Sequence, residues 1–166
     1  MTTSVDREAT ERERDRLRDL YLVEPARRAR STARGVHHMA LMCTDVERTI
    51  RFYQGLLGFP LVEIFENRDY QGSTHLFFDI GLDNCLAFFD FPGLDLGPYA
   101  EVVGGLHHLA ISVDQAQWDA ARARLEVAGI PTQIESESSL YFSDPDGVRL
   151  ELIAEDLGSL YGTPLH

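Results

Sequence analysis

The strongest constraint on this chain is that it repeats itself. Gly35-Val36-His37-His38-Met39-Ala40-Leu41 returns seventy residues later as Gly105-Leu106-His107-His108-Leu109-Ala110-Ile111, differing only by apolar exchanges. Such a repeat implies two copies of one supersecondary unit that bury their apolar faces together. Each copy runs on to an Asp that can cap a helix, Asp45 and Asp114. Each predicted helix stops at a Gly-apolar-Pro signal, Gly58-Phe59-Pro60 and Gly129-Ile130-Pro131. Helical spacing predicts one face from Ile50, Tyr53 and Leu57, and another from Trp118, Ala121, Leu125 and Ala128.

Three strands are predicted after each helix: 61–65, 74–78 and 84–91 in the first copy, and 132–134, 140–142 and 148–154 in the second. The turns Gly81-Leu82-Asp83 and Asp144-Pro145-Asp146-Gly147 separate the last two strands. Each module therefore reads β-α-β-β-β. The expected division is a charged arm over residues 1–34, a first module over 35–97, and a second module with a C-terminal tail over 98–166.

The ends of the modules carry the chemistry. Aligning Leu76-Phe77-Phe78 with Leu140-Tyr141-Phe142 at a constant offset of 64 runs without a gap through Leu86 and Leu150, and sets Ala87 opposite Glu151. A pseudo-twofold would bring equivalent strands together, so a site at the junction receives a His from each first strand and one carboxylate. Two imidazoles and a carboxylate on one face of an octahedral metal leave three adjacent positions open for a chelating substrate and O2. Glu151, between Leu150 and Leu152, is expensive to bury unless paired or metal-bound; the competing reading is a solvent-facing Glu on an alternating strand. Adjacent residues of a strand point to opposite faces, so parity alone does not choose a ligand from His37-His38 or His107-His108. The aromatic run Phe77, Phe78, Phe88, Phe89 and Phe91 reads first as sheet core, with some members available as an apolar wall for a ligand. Cys85 shares the parity of Ala87 and reads as a structural thiol.

Charge and composition narrow the function. The chain carries a formal −12, and nine of its fifteen arginines lie in residues 1–34 against seven acids, so residues 35–166 hold 6 − 20 = −14. An acidic body argues against nucleic-acid and membrane-surface partners, which need a basic face. All the Lys+Arg residues are Arg, which excludes a Schiff-base lysine and a P-loop lysine. Cys43 and Cys85 are too few for a disulfide framework, and no apolar run approaches the roughly 18 residues of a membrane span. The expectation is a cytoplasmic protein. Residues 8–23 predict a short amphipathic helix ended by Pro25, with Leu17, Leu20 and Tyr21 on one side; it is either a solvated arm or a helix packed on the body or a second subunit.

With these residues in view, the chain from 35 to about 155 resembles the vicinal oxygen chelate superfamily, which includes glyoxalase I, extradiol ring-cleaving dioxygenases, methylmalonyl-CoA epimerase, fosfomycin-resistance thiol transferases and bleomycin-binding proteins. The resemblance implies an α+β fold of two tandem βαβββ modules forming a pseudo-twofold open barrel around a metal site. In the family the ligand His precedes the helix-capping Asp by seven residues in one module and about six in the next, which selects His38 and His108 as metal ligands. It leaves His37 and His107 as supporting residues. The closing stretch 144–151 is similar to the family's last turn and strand, whose Glu is a ligand, here Glu151.

Glyoxalase I and the epimerase place a fourth ligand at the position of Ala87. The remaining three-ligand set, with Tyr141, is closest to the extradiol dioxygenases and hydroxyphenylpyruvate dioxygenase. Where ring-cleaving enzymes carry an acid/base His, this chain has Asp83 and Asn84, and a second His expected upstream of Tyr141 is missing. His75 is the substitute if it faces the pocket, and Tyr141 is a candidate hydrogen-bond donor. The implied cofactor is a divalent metal, Fe(II) first, with Mn, Zn, Ni or Co as the other candidates. The implied partners are a small-molecule substrate, O2 and a second copy in a homodimer. The implied activity is an Fe(II) extradiol-type dioxygenase acting on a catecholic or other oxygen-chelating molecule. Its rivals are a redox-neutral glyoxalase, epimerase or thiol-transferase reaction on the same metal, and a small-molecule binding protein.

Overall fold

Both copies of the repeat fold as βαβββ units in the computed structural model, which describes residues 6–160 and 162–165. The first comprises β1 (His38–Met42), α2 (Val46–Ile50) continuing into a π-helical stretch (Arg51–Leu57), β2 (Leu61–Glu66), β3 (Thr74–Asp79) and β4 (Cys85–Phe89). The second comprises β5 (Leu109–Ser112), α3 (Gln115–Val127), β6 (Gln133–Ile134), β7 (Ser139–Ser143) and β8 (Arg149–Ile153). Each module makes a four-stranded sheet, ordered β1-β4-β3-β2 and β5-β8-β7-β6. The first strand pairs parallel with the fourth and the other pairs are antiparallel. The first and second strands of each module thus run the same way at opposite edges, a connection that requires a crossover, and the helix supplies it. A hairpin of β9 (Ser159–Leu160) and β10 (Thr163–Pro164) follows.

The caps act as their residue types predict. Asp45 accepts from the Arg48 amide at 2.9 Å and Asp114 from the Gln117 amide at 2.8 Å. Gly58 and Gly129 take left-handed φ of +83° and +70°, which let the chain leave each helix. The π-helical stretch is not foreseen by 3.6-residue periodicity. Phe52, Tyr53 and Leu57 are buried there and Thr49 in the turn before it, while Ile50 is only half-buried. In α3, Trp118, Ala121 and Leu125 are buried as expected; Ala128 is exposed because the helix ends at Val127.

One core serves both modules. The inner faces of the sheets, Leu76, Phe78, Leu86 and Phe88 in the first and Leu140, Phe142, Leu150 and Leu152 in the second, bury against the helices. Polar contacts key the modules together on this helical side. The buried Tyr53 hydroxyl donates to Asp144 Oδ2 at 3.0 Å. Arg48 pairs with Asp146 at 2.8 Å, and Arg124 Nε donates to the Leu56 carbonyl at 2.5 Å. Asp144 also accepts from the amides of Asp146 and Val148 at 2.9 and 2.8 Å. Burial raises the Asp144 carboxyl above its ordinary range, partly offset by these three donors, and burial likewise pushes the Tyr53 phenol up.

The N-terminal helix α1 (Arg7–Tyr21) buries none of its residues, and Leu17, Leu20 and Tyr21 are exposed. Within this chain the solvated-arm reading holds. Arg16 with Glu13 and Arg18 with Asp15 support the helix, and Arg28 Nη1 donates to the Leu165 carbonyl at 2.9 Å, tying the arm to the tail. Among the described residues no helix is long and apolar enough to cross a membrane.

The Tyr53–Asp144 bond gives a pH-dependent expectation. Because the folded pKa of Asp144 is raised, its ionised form costs stability at neutral pH, and that cost fades as the folded state takes up the proton in acid. The Tyr53 hydroxyl offsets that cost. Tyr53→Phe is expected to destabilise by about 1–3 kcal/mol at neutral pH, and by less in mild acid. Urea unfolding at both pH values measures this, and an equal loss at both would contradict it.

Candidate metal centre

Each sheet turns one face to the core and leaves the other open. On the open face of the second module, Glu151 sits between Ala110 on β5 and Tyr141 on β7. In the first module Ala87 occupies the equivalent place, between Ala40 and Phe77. The equivalence expected from the offset of 64 is therefore the register of the sheets.

Glu151 is 5% exposed, so the solvent-facing reading does not hold. The Ser139 hydroxyl donates to its Oε1 at 2.5 Å, and His108 Nε2 lies 3.2 Å from its Oε2. The histidine pairs repeat down to their atoms. His107 Nδ1 is 2.7 Å from His108 Nδ1 with ring planes at 73°, and His37 Nδ1 is 2.9 Å from His38 Nδ1 with planes at 78°. In each pair one ring donates and the other accepts, which fixes ring orientation and leaves Nε2 of His38 and His108 outside the contact. His108 stands edge-on to Tyr141 at 5.5 Å between centroids, and His38 edge-on to Phe77 at 5.9 Å.

An imidazole nitrogen beside a buried carboxylate oxygen is a donor pair suited to a divalent transition metal, and a cation would offset the cost of burying Glu151. His108 and Glu151 fit that role. His38 does not join them within one chain: among the described residues no three His, Cys, Asp or Glu stand together as a metal-holding group. The modules are joined on their helical sides, and β1 and β5, which carry or adjoin the two histidines, each remain a sheet edge.

His75 lies on the open face of β3, opposite Phe89 on β4 and Phe65 on β2. Desolvation, with a smaller contribution from His38, lowers its pKa and favours the neutral ring. Asn84 is occupied in the turn, donating to the carbonyls of Gly81 and Leu82. Cys85 is half-buried beside His38, whereas Cys43 is buried and its thiol is pushed up to about 11.

Two participants escaped the reading of the sequence. Ser139 orients Glu151; the signal was its offset partner His75, which places it on the open face. Arg149 lies over the Tyr141 ring at 5.0 Å and 3.5 Å from Glu101. Arg149, Tyr141 and Glu101 line a cavity of about 460 Å³ with Tyr99, Thr132 and Gln133.

Two βαβββ modules, each a four-stranded sheet with one face open, define a class of paired-module α+β protein. The chain belongs to the Glyoxalase/Bleomycin resistance protein/Dioxygenase superfamily, whose family model matches residues 35–152. It is similar to the metallothiol transferase FosB of Shouchella clausii (strain KSM-K16), 31% identical, over 71% of this chain and 78% of FosB. It is also similar to MhqA of Bacillus subtilis (strain 168), provisionally named a ring-cleaving dioxygenase, 27% identical over 79% of this chain; the chain spans only 43% of MhqA. Among solved structures, the fosfomycin resistance protein FosX of Mesorhizobium loti matches with TM-score 0.58 and 26% identity over 76% of this chain and 95% of that one. The E126Q mutant of FosX from Listeria monocytogenes, complexed with Mn(II) and a dihydroxypropylphosphonic acid, shares the fold at TM-score 0.56 and 21% identity, over 76% of this chain and 96% of that one.

Glu151→Gln keeps the size of the side chain and a partner for Ser139. It is expected to fold within about 1 kcal/mol of the parent in metal-free buffer, whereas added Mn(II) or Fe(II) is expected to raise the melting temperature of the parent and not that of the variant. Thermal unfolding with and without a chelator checks both halves of this expectation.

Proposed function

We propose that the protein is a mononuclear metal-dependent enzyme in which His38, His108 and Glu151 hold one divalent cation. The reaction best supported is an Fe(II)-dependent, extradiol-type oxygenation of a catecholic or other oxygen-chelating small molecule. The observation that carries this reading is the buried Glu151 held by Ser139 and facing His108, with Ala87 where a fourth ligand would stand. Fe(II) in such a site would supply adjacent open positions for substrate oxygens and O2.

The rest is assigned to this chain's own groups. Ser139 fixes one oxygen of Glu151, so the other is directed to the site. His37 and His107 hold their neighbours' rings by Nδ1. Tyr141, edge-on to His108, is assigned the hydrogen bond to a chelating substrate in this reading. His75, whose imidazole pKa is lowered by desolvation, takes the place of the missing acid/base histidine in this reading.

Because His38 stands apart from His108 and Glu151 in one chain, the reading places the third ligand on a second copy. In a symmetric homodimer the first module of each chain would face the second module of its partner, giving two equal sites. Redox-neutral chemistry with Mn(II) is the second reading, favoured by the likeness to FosB and FosX.

Two experiments test these proposals. Protein reconstituted anaerobically with Fe(II) is expected to consume O2 with a panel of catechols. Turnover of a chelating substrate with Mn(II) and without O2 uptake would move the assignment to the redox-neutral reading. His38→Ala and Glu151→Ala are each expected to be inactive. Unfolded together and refolded, they should recover about a quarter of the parent activity, because half the dimers are mixed and each mixed dimer holds one intact site. No recovery would place the ligands within one chain or remove them from the site.

A further inference from the structure

The open face of the second module carries one charged group that the metal reading does not use. Side chains alternate along β8, so Arg149 and Glu151 stand on the same face, about 6–7 Å apart along the strand. The Arg149 guanidinium lies over the Tyr141 ring at 5.0 Å, and Tyr141 in turn stands edge-on to His108. One aromatic side chain therefore links the arginine to the His–Glu pair. Both Arg149 and Tyr141 line the cavity of about 460 Å³, which Tyr99, Thr132 and Gln133 also line. The Tyr99 hydroxyl donates to the Leu106 carbonyl at 2.7 Å, so this wall of the cavity is fixed by the chain itself.

Pairing within the chain does not account for Arg149. Residues 35–166 hold six arginines. Arg48 pairs with Asp146, Arg51 with Glu47 and Arg68 with Asp69, Arg124 donates to the Leu56 carbonyl, and Arg122 lies over Trp118. Arg149 is the one of the six that borders the His–Glu pair. Its nearest carboxylate oxygen, Glu101 Oε1, is 3.5 Å away, too far for a good hydrogen bond, and its side chain is 35% exposed. Glu101 lies between the modules, is 42% exposed, and stands as loosely by His107 Nε2, at 3.7 Å. So open a pair contributes little to stability. An arginine oriented over an aromatic ring presents a fork of donors, and a carboxylate accepts two of them in parallel.

We propose that Arg149 sets the specificity of the metal site by pairing with a carboxylate of the substrate, carried at the end away from the chelating oxygens. The proposal rests on the metal reading above and narrows its substrate class to small organic acids, for either reaction class. Glu101 holds the guanidinium loosely in the empty site, and the substrate carboxylate displaces it. A body of formal charge −14 repels an anion except where cations face it. Arg149 at one end of the cavity and a metal cation at the other would supply those two places, so both the charge and the length of the ligand are selected.

The test uses the full chain loaded with Mn(II) and calorimetric titration with the monohydroxamic acids of succinic, glutaric and adipic acid. Each is compared with the same molecule carrying a primary amide in place of the free carboxylate, and acetohydroxamic acid reports the chelating group alone. The acid whose length matches the span is expected to bind about tenfold more tightly than its amide, and about 0.5 M salt should reduce that advantage. Arg149→Gln should lower it to about twofold or less, and Arg149→Lys should keep part of it. Glu101→Gln, which removes the competing carboxylate, should raise it about twofold. A purely structural Arg149 would leave the acid-to-amide ratio of Glu101→Gln equal to that of the parent, and this variant decides the matter if Arg149→Gln does not fold. Mn(II) content and acetohydroxamic acid affinity should be the same in the parent and all three variants, which controls for folding and loading. Acids and amides that bind alike at every length overturn the proposal and leave the metal reading intact. So does an acid advantage that survives Arg149→Gln. Failure to retain Mn(II) or to bind any hydroxamate overturns the metal reading, and the proposal with it.

Discussion

Asp144 is the point at which the two halves of the molecule are locked together. Its carboxylate is buried at the turn before β8, where it accepts from two amides of its own turn and from the Tyr53 hydroxyl of the other module. Burying that charge is unfavourable by itself, and the three donors make it tolerable only when both modules are in place. The clasp, with Arg48–Asp146 and Arg124 on the Leu56 carbonyl, fixes the helical side of each module against the other. It thereby commits the inner sheet faces to one shared core and leaves the outer faces open.

Function follows from that division of labour. The inner positions of the two sheets are nearly interchangeable leucines and phenylalanines, because they solve the same packing problem twice. The outer positions have no packing role to keep them alike. One has become polar and holds Glu151 between Ser139 and His108; the other has become aromatic, surrounding a single imidazole. A duplicated scaffold can thus present a polar face and an aromatic face at matched positions on its two sheets.

Much of this was legible in the chain. The repeat gives βαβββ twice, the Asp caps and Gly stops bound the helices, and the constant offset pairs Ala87 with Glu151 before any sheet is seen. These features are local or periodic, so each is set by backbone geometry and alternation of side chains. The π-helical stretch at 51–57 was not legible, since widened turns have no period of their own at this length. The role of Ser139 was hidden because a serine on a strand carries no signal until its neighbour across the sheet is known.

The sequence by itself determined the modules, their registers and the residue types on each face, because a period of two along a strand assigns every side chain to one side or the other. Only the tertiary structure decided that Glu151 is buried and paired with His108, and that His38 stands apart from them. It also decided that His75 lies among Phe65, Phe77 and Phe89 with Nε2 buried and without a partner among the described residues. Those outcomes depend on how separate sheets are brought together, and the clasp at Asp144, formed between residues 91 positions apart, is what sets that arrangement.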